Sequence, residues 1–294
     1  MVDRPGATSS IELDAFHVAA SVDQQATDRR RQRVEDQRAE LQKSAWQTFV
    51  EAGEIIFATR PRDVDAHYYT CVGRDCVTGK AMYTIGSPLC RLNPSSGKLK
   101  ILLDDPQGTI RDRRVSYDAT RILFSYRPGE TEHFHLYEIQ IDGTHLRQIT
   151  DGPFDDIEPC YLLDGGFMFA STRCKRYVPC WRVPVFVLHV CQPDGNDLRQ
   201  ISPNKEAENA PCMLPDGRII YTRWEYVDRN HVAYHHLWTT NPDGSGQTMF
   251  FGNMLTDYAD IGMADLVMAD ARPIDGSRQV VAVFSEHMSP DRGG

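Results

Sequence analysis

Four arginines stand at the ends of predicted β-strands, and their side-chain chemistry suits the binding of anions. A guanidinium group binds a carboxylate or a phosphate through two parallel hydrogen bonds. The loop after the last of these strands adds aromatic and acidic side chains. The ligand-binding face that we predict comprises Arg60, Arg127, Arg173, Arg223, Trp224, Glu225 and Tyr226. The alternative is a structural role, in which each arginine pairs with a carboxylate of a neighbouring loop. Recurrence in every repeat favours this alternative.

Histidines in the same region could hold a divalent metal such as zinc or manganese, because imidazole and carboxylate groups are common metal ligands. The candidate ligands are His133, His135, His231, His235 and His236. However, His135 and His236 occupy the same position in two repeats. This equivalence favours a structural hydrogen bond over metal binding. The sequence assigns no catalytic residue.

Eight cysteines are many for a chain of this size if all of them are only packing residues. We predict disulfides between Cys71 and Cys76 and between Cys174 and Cys180, and hence a periplasmic or extracellular origin. The alternative is a cytosolic protein with free thiols. Cys160 and Cys212 share a repeat position, and we interpret both as buried packing residues because equivalent points on adjacent repeats usually lie too far apart to be bridged.

Known cofactor and nucleophile motifs are missing from the sequence. It contains no Cys-x-x-Cys-His, so we expect no c-type haem in this chain and no cofactor beyond the candidate metal. It also lacks a Gly-x-Ser-x-Gly elbow and a phosphate loop.

The loops that carry these residues belong to a repeated β-rich unit. Its most regular marker is a turn at Asp142-Gly143, Asp194-Gly195 and Asp243-Gly244, with spacings of 52 and 49 residues. Each unit holds four short β-rich runs separated by Gly, Pro, Asp and Asn. A four-stranded unit of roughly 40–50 residues is typical of a β-propeller blade. We therefore predict an all-β propeller of four-stranded blades, preceded by an N-terminal helix.

The domain organisation follows from the positions of the repeats. We predict a disordered tail over residues 1–21, a charged helix over 22–50 and a propeller over 51–294. The predicted blades are 54–103, 110–150, 157–202, 208–252 and a partial blade at 264–294. About four and a half blades indicate an incomplete ring from a parent of six to eight blades, because a propeller closes to protect its strand edges. The alternative is a compact ring of about five blades with an atypical closure.

Charge and hydropathy exclude two classes of partner. The net charge of −9 argues against nucleic acid, because there is no basic face to neutralise phosphates. No apolar run approaches the roughly 18 residues needed to span a membrane. The first residues lack the apolar core of a signal peptide, so we expect, if the origin is extracytoplasmic, that the chain is a fragment or that its start is misplaced.

Three segments carry a resemblance to a known family. They are Phe124–Ile139, Ser171–Trp181 and Tyr221–Gly244. They resemble the middle domain of the hydrazine synthase alpha subunit and its bacterial relatives, whose blades are WD40-like repeats of the TolB type, also called PD40 repeats. The resemblance implies a propeller within a larger secreted or periplasmic protein. In the synthase, nitric oxide and ammonium-derived nitrogen are joined at c-type haem. The haem motif is missing here, so no catalytic residue is carried over.

The leading functional hypothesis is a non-catalytic propeller that serves as a scaffold or ligand-binding module of a hydrazine-synthase-alpha-like protein. Its partners would be a small-molecule or protein ligand and the remainder of the larger parent. The alternative is an enzyme subunit. It would be either a metal-dependent lyase or hydrolase of acidic saccharides, or a redox subunit for nitrogen chemistry whose haem lies outside this chain. Whether the chain is an enzyme is left open at this point.

Overall fold

The computed structural model describes residues 10–51, 53–59, 72–226, 235–252 and 266–286. A long helix precedes a series of short strands in these ranges. The helix is α1 Ser10–Glu51, and the strands are β1 Ile55–Ala58, β2 Leu89–Asn93, β3 Lys98–Leu103, β4 Thr109–Val115, β5 Arg121–Arg127, β6 His135–Gln140, β7 Arg147–Gln148, β8 Asp156–Tyr161, β9 Phe167–Ser171, β10 Val187–Cys191, β11 Arg199–Gln200, β12 Glu208–Met213, β13 Ile219–Trp224, β14 His235–Thr240, β15 Thr248–Phe251, β16 Leu266–Pro273 and β17 Val280–Glu286.

The helix begins at Ser10, whereas the sequence analysis placed a disordered tail as far as residue 21. No glycine or proline occurs between Ser10 and Glu51, so no residue in this stretch interrupts helical hydrogen bonding. The helix belongs to a compact unit of residues 1–55 with 92–98, and a second unit comprises residues 56–91 and 99–294. The candidate site lies in the second unit.

The strands form four sheets, and these correspond to the predicted blades. The first sheet has the order β1-β2-β3, the second β4-β5-β6-β7 and the third β11-β10-β9-β8. The fourth contains β12, β13, β14 and β15 together with β16 and β17. In the second to fourth sheets, each strand of β4–β7, of β8–β11 and of β12–β15 pairs antiparallel with the next strand of its run, and β16 pairs antiparallel with β17. The propeller fold predicted from the repeats is confirmed.

The last two strands differ from the prediction in one respect. They were expected to start a separate blade, but β16 pairs with β14 in parallel through His235 and Val267. The pairing of β16 with β17 is antiparallel, as expected for the first two strands of a blade.

The second strand of each four-stranded blade is an almost continuous apolar run because both of its faces are buried. In β9, every residue from Phe167 to Ser171 is buried. Leu123 and Leu136 of one blade pack with Phe167 and Phe169 of the next. A strand that is covered on both faces does not need the apolar–polar alternation of a half-exposed strand.

The Asp-Gly turns recur because each of them packs against the preceding blade. Gly143, Gly195 and Gly244 have φ angles of 87°, 85° and 89°, a backbone conformation that favours glycine. A Cβ atom on Gly195 would overlap the carbonyl oxygen of Ile149, and one on Gly244 would overlap that of Ile201. The turn therefore requires glycine both for its conformation and for its contact between blades.

Candidate functional site

Arg127, a member of the predicted ligand-binding face, is enclosed by two loops. It is 3% exposed, and its guanidinium donates hydrogen bonds to the carbonyl oxygens of Gln107, Pro128 and Thr131. The guanidinium also lies over the Tyr83 ring, 4.4 Å from its centroid. These contacts correspond to the structural alternative for the arginines, although Arg127 Nε is buried without a hydrogen-bond partner among the described residues. The ligand role of Arg127 stays a prediction.

Arg173 forms an ion pair with a buried carboxylate. Its Nη2 atom lies 2.8 Å from Oδ2 of Asp156, which is fully buried. Ser171 Oγ donates to Asp156 Oδ1 at 2.6 Å, and His135 Nδ1 lies 3.5 Å from Oδ2. Burial alone would raise the pKa of Asp156, but His135, Arg173 and Ser171 together hold it below its ordinary value. These contacts correspond to the structural alternative for the arginines.

Arg223 and the residues after it are also engaged within their blade. The Arg223 guanidinium lies over the Trp238 ring at 4.3 Å and donates to Gln247 Oε1 at 3.1 Å. Glu225 Oε1 lies 3.6 Å from Arg223 Nη2. Trp224 is buried, stacks on His235 with a centroid distance of 4.8 Å and contacts Tyr226 edge-on. The remaining member of the predicted face, Arg60, lies outside the described residues.

The histidines do not converge on one point in the part of the chain that the structure describes. His133 Nδ1 lies 3.6 Å from Asp155 Oδ2, and the interaction with Asp155 raises the pKa of His133. His235 and His236 are buried in another blade, and burial lowers the pKa of His236 to about 4. Among the described residues, no three His, Cys, Asp or Glu side chains are arranged to hold a metal ion.

The described histidines therefore do not fit a metal centre by themselves. His231, the fifth candidate, lies outside the described residues, so the metal site stays a prediction.

The predicted disulfide between Cys174 and Cys180 is not formed, and both are free thiols. Cys174 Sγ donates to the carbonyl oxygen of Val185 at 3.2 Å, whereas the Cys180 thiol interacts with the Tyr226 hydroxyl. The two side chains thus have separate partners. Cys76 is also a free thiol, and its predicted partner Cys71 lies outside the described residues.

A group of residues that the sequence analysis did not select occurs on the first strand of each blade. Strands β4, β8, β12 and β16 each contain a β-bulge, where the pairing register shifts. The bulged residues Asp112, Glu158, Ala210 and Asp270 have φ angles of 57°, 54°, 53° and 53°. These first strands contact one another in the order β4, β8, β12, β16. The bulges therefore bring equivalent positions of four blades side by side.

The bulged residues and their neighbours form a charged network across three blades, which we call the carboxylate level. Arg111 Nε lies 2.7 Å from Asp112 Oδ2, and Arg111 Nη2 lies 3.9 Å from Glu158 Oε1. Glu158 Oε2 accepts hydrogen bonds from Ala210 N at 2.6 Å and from Asn209 Nδ2 at 3.2 Å. Glu158 thus links β4 to β12 through its own strand.

The two carboxyl groups of this level have opposite pKa shifts. Burial and the charge of Asp112 raise the pKa of Glu158 to about 7, although Arg111 acts in the other direction. Burial would also raise the pKa of Asp112, but the charge of Arg111 and its hydrogen bond outweigh burial and lower it. Near neutral pH, Glu158 exchanges a proton while Asp112 stays ionised.

Two residues after each bulge lies a second set of equivalent side chains, which we call the guanidinium level. It consists of Arg114, Cys160, Cys212 and Arg272. Burial and the nearby Cys212 raise the pKa of Cys160 to about 12, while the charges of Arg114 and Arg272 oppose the rise. Cys160 thus interacts electrostatically with the other three members, and its thiol is neutral near pH 7.

The two arginines of the guanidinium level have different partners. Arg272 Nη2 lies 2.9 Å from Asp270 Oδ1, and its Nη1 donates to the Ala271 carbonyl oxygen. Arg114 forms one hydrogen bond within the described part of the chain, from Nη1 to the Arg113 carbonyl oxygen at 3.0 Å. Its Nε atom is buried without a hydrogen-bond partner there.

The sequence contains a repeated pattern at the positions of these two levels. Arg111–Arg114, Ile157–Cys160, Asn209–Cys212 and Ala269–Arg272 align as four equivalent tetrapeptides, and the shared position of Cys160 and Cys212 was already visible. The sequence did not show that these four tetrapeptides come together, because the β-bulges that align them are features of the backbone.

Comparisons with known proteins identify the fold. No family model and no curated relative matches the sequence. Hydrazine synthase from Kuenenia stuttgartiensis matches with a TM-score of 0.67 and 18% identity, over 80% of this chain and 36% of that chain. A putative TolB from Agrobacterium tumefaciens matches with a TM-score of 0.45 and 17% identity, over 61% and 59% of the two chains. TolB from Acinetobacter baumannii matches with 0.45 and 9%, over 70% and 47%.

The resemblance drawn from the sequence is thus confirmed at the level of the fold. The chain spans about a third of the hydrazine synthase chain that it matches. Among the described residues, no helix combines the length and the apolar character needed to cross a bilayer.

Proposed function

We propose that this chain is a non-catalytic β-propeller module that binds a ligand and acts as a scaffold within a larger protein. The proposal rests on one observation. The first strands of successive blades lie side by side and bring charged side chains together. At the guanidinium level, a buried nitrogen of Arg114 has no partner within the described residues. A buried polar atom without a partner is costly in a folded protein, and a bound ligand would remove that cost.

The scaffold part of the proposal rests on the match to hydrazine synthase. This propeller corresponds to about a third of that longer chain. We therefore place the module in a hydrazine-synthase-alpha-like parent outside the cytoplasm, with the remainder of the parent as one partner and a small molecule or protein as the other. The location rests on the resemblance alone, because the described cysteines are free thiols. In this proposal the module carries no cofactor of its own.

One observation favours the second candidate, an enzyme subunit whose metal or haem is bound elsewhere in the parent. The Glu158 side chain is only 13% exposed, its backbone N–H donates to Asp112 Oδ2, and its pKa is raised to about 7. A carboxyl group with a pKa near the working pH is suited to general acid or base catalysis. If the chain takes part in a reaction, Glu158 is the residue that we expect to move the proton.

The test combines spectroscopy with a ligand screen on the purified chain and on its full-length parent. Absorption spectra and metal analysis are recorded first, and thermal unfolding is then followed with anionic, cationic and neutral small molecules. The proposal predicts a saturable rise in Tm with one ligand class, no product from that ligand and no haem absorbance from the chain alone. Turnover of a bound ligand that is lost in Glu158→Gln would favour the enzyme instead.

A further inference from the structure

The guanidinium level brings two positive charges together without a matching number of carboxylates. Burial and the nearby charge of Arg272 lower the pKa of Arg114, and the charges of Asp112 and Asp270 only partly offset this. Arg272 has Asp270 as its ion-pair partner, whereas Arg114 forms no ion pair within the described residues. Two cations repel each other most strongly where water is partly excluded. The arrangement therefore costs stability in the free protein.

We infer that Arg114 and Arg272 bind an oxyanion, either the carboxylate or the phosphate of a ligand, at the guanidinium level of the propeller. This inference rests on the proposed function and gives the chemical class of its ligand. A guanidinium presents a fork of N–H donors that matches the oxygens of both groups. The oxyanion would accept a hydrogen bond from Arg114 Nε. Its negative charge would also offset the positive charges of Arg114 and Arg272.

The other two members of this level are compatible with an anion. The thiol of Cys160 is neutral near pH 7, because burial raises its pKa to about 12. It adds no competing negative charge, and an S–H group, which Cys212 also carries, is a weak hydrogen-bond donor. The nearby carboxylates already have partners, since Asp112 pairs with Arg111 and Asp270 pairs with Arg272.

The location of the oxyanion site differs from that of the predicted binding face. Arg114 pairs with Leu123, one residue before the end of β4, so it lies next to the tight turn between the first and second strands. Arg272 has the equivalent place opposite Val281. The predicted face was formed by loops between second and third strands, which lie at the opposite ends of the antiparallel strands. We therefore place the ligand at the tight-turn end.

The experiment uses the whole chain and holds the ionic strength constant with chloride, so that charge screening does not change. Thermal unfolding and calorimetric titration are measured with phosphate, sulfate and malonate, which separate tetrahedral anions from carboxylates. We expect a saturable rise in Tm of about 5 °C at about 100 times Kd with at least one of them. Arg114→Gln and Arg272→Gln should abolish this shift.

The matched control is Arg218→Gln, because Arg218 is a partly exposed arginine that already pairs with Asp216 in the turn between β12 and β13. This variant should keep the full response to the anion. In chloride alone, Arg114→Gln should be at least as stable as the wild type, because it removes a like-charge contact. A lower Tm of Arg114→Gln in chloride would indicate a structural role and overturn the inference.

Two further outcomes would also overturn it. One is an anion response that persists in both arginine variants or that depends only on ionic strength. The other is the lack of any anion response in the wild type. If a neutral or cationic ligand then raises Tm, the proposed binding function stands and only the oxyanion site fails. If no ligand class raises Tm, both fail.

Discussion

Glu158 makes the stability of this propeller depend on pH in a direction that can be calculated. Its side chain is 13% exposed at the junction of three blades, and its pKa rises from 4.5 to about 7 on folding. The folded state therefore holds the proton more tightly than the unfolded chain does. As the pH rises above 4.5, the unfolded chain releases the proton first, and stability is lost until the pH exceeds about 7. The change to test is Glu158→Gln, which removes the titration.

The size of the effect follows from the two pKa values. A rise from 4.5 to about 7 corresponds to about 3 kcal/mol over the complete titration. Between pH 5 and pH 8, the wild type should lose about 2 kcal/mol that Glu158→Gln does not lose. The glutamine oxygen can still accept the hydrogen bond from Ala210 N, so the variant keeps the link between blades. Any constant offset from the lost contact with Arg111 does not change the slope.

The assay is guanidinium chloride unfolding at several pH values between 5 and 8, with the wild type and the variant compared at each pH. Asp197→Asn is the matched control, because Asp197 is an exposed carboxylate whose φ of 52° is one that asparagine also adopts. The control should follow the wild type across the range. If the free energies of unfolding of the wild type and Glu158→Gln run parallel from pH 5 to pH 8, the reasoning from burial is wrong.

Two further predictions concern contacts that hold the blades. Arg173→Ala should lower the free energy of unfolding by about 3 kcal/mol in chemical denaturation, because it leaves the buried charge of Asp156 without its main partner. Arg199→Ala, which breaks an exposed pair, should cost less than about 1 kcal/mol, and equal losses in the two variants would contradict the structural role of Arg173. Gly195→Ala should lower Tm much more than Gly217→Ala. Both glycines have a positive φ, but only the Cβ at position 195 would meet the preceding blade. Similar losses of Tm would show that the contact between blades is not tight.

Much of the fold could be predicted because short stretches of sequence specify it. The Asp-Gly pairs indicate turns, the apolar runs indicate buried strands, and their spacing indicates the repeat. The helix boundary was less accurate, because a polar, serine-containing stretch was interpreted as disordered although it contains no helix breaker. The disulfide between Cys174 and Cys180 was inferred from closeness in sequence, whereas the structure directs the two thiols to different partners.

The sequence alone did not show how the arginines of the predicted face are engaged. Arginines at strand ends look available in a sequence, but Arg127 is enclosed by carbonyl oxygens of its own loop and of a neighbouring one. Whether a guanidinium is free or enclosed depends on backbone groups whose positions are set by packing between strands. Residue types and spacing do not contain that information.

The sequence by itself determined that this chain is a propeller, because the repeated turns and buried strands leave few other ways to pair. Only the tertiary structure decided which charged residues meet. Arg114 and Arg272 are far apart in the chain, and their proximity depends on one bulge in each of four first strands. A bulge shifts the register by a residue and reorients the side chains that follow it. Because such a shift is a property of paired strands, it becomes visible only when the blades are assembled.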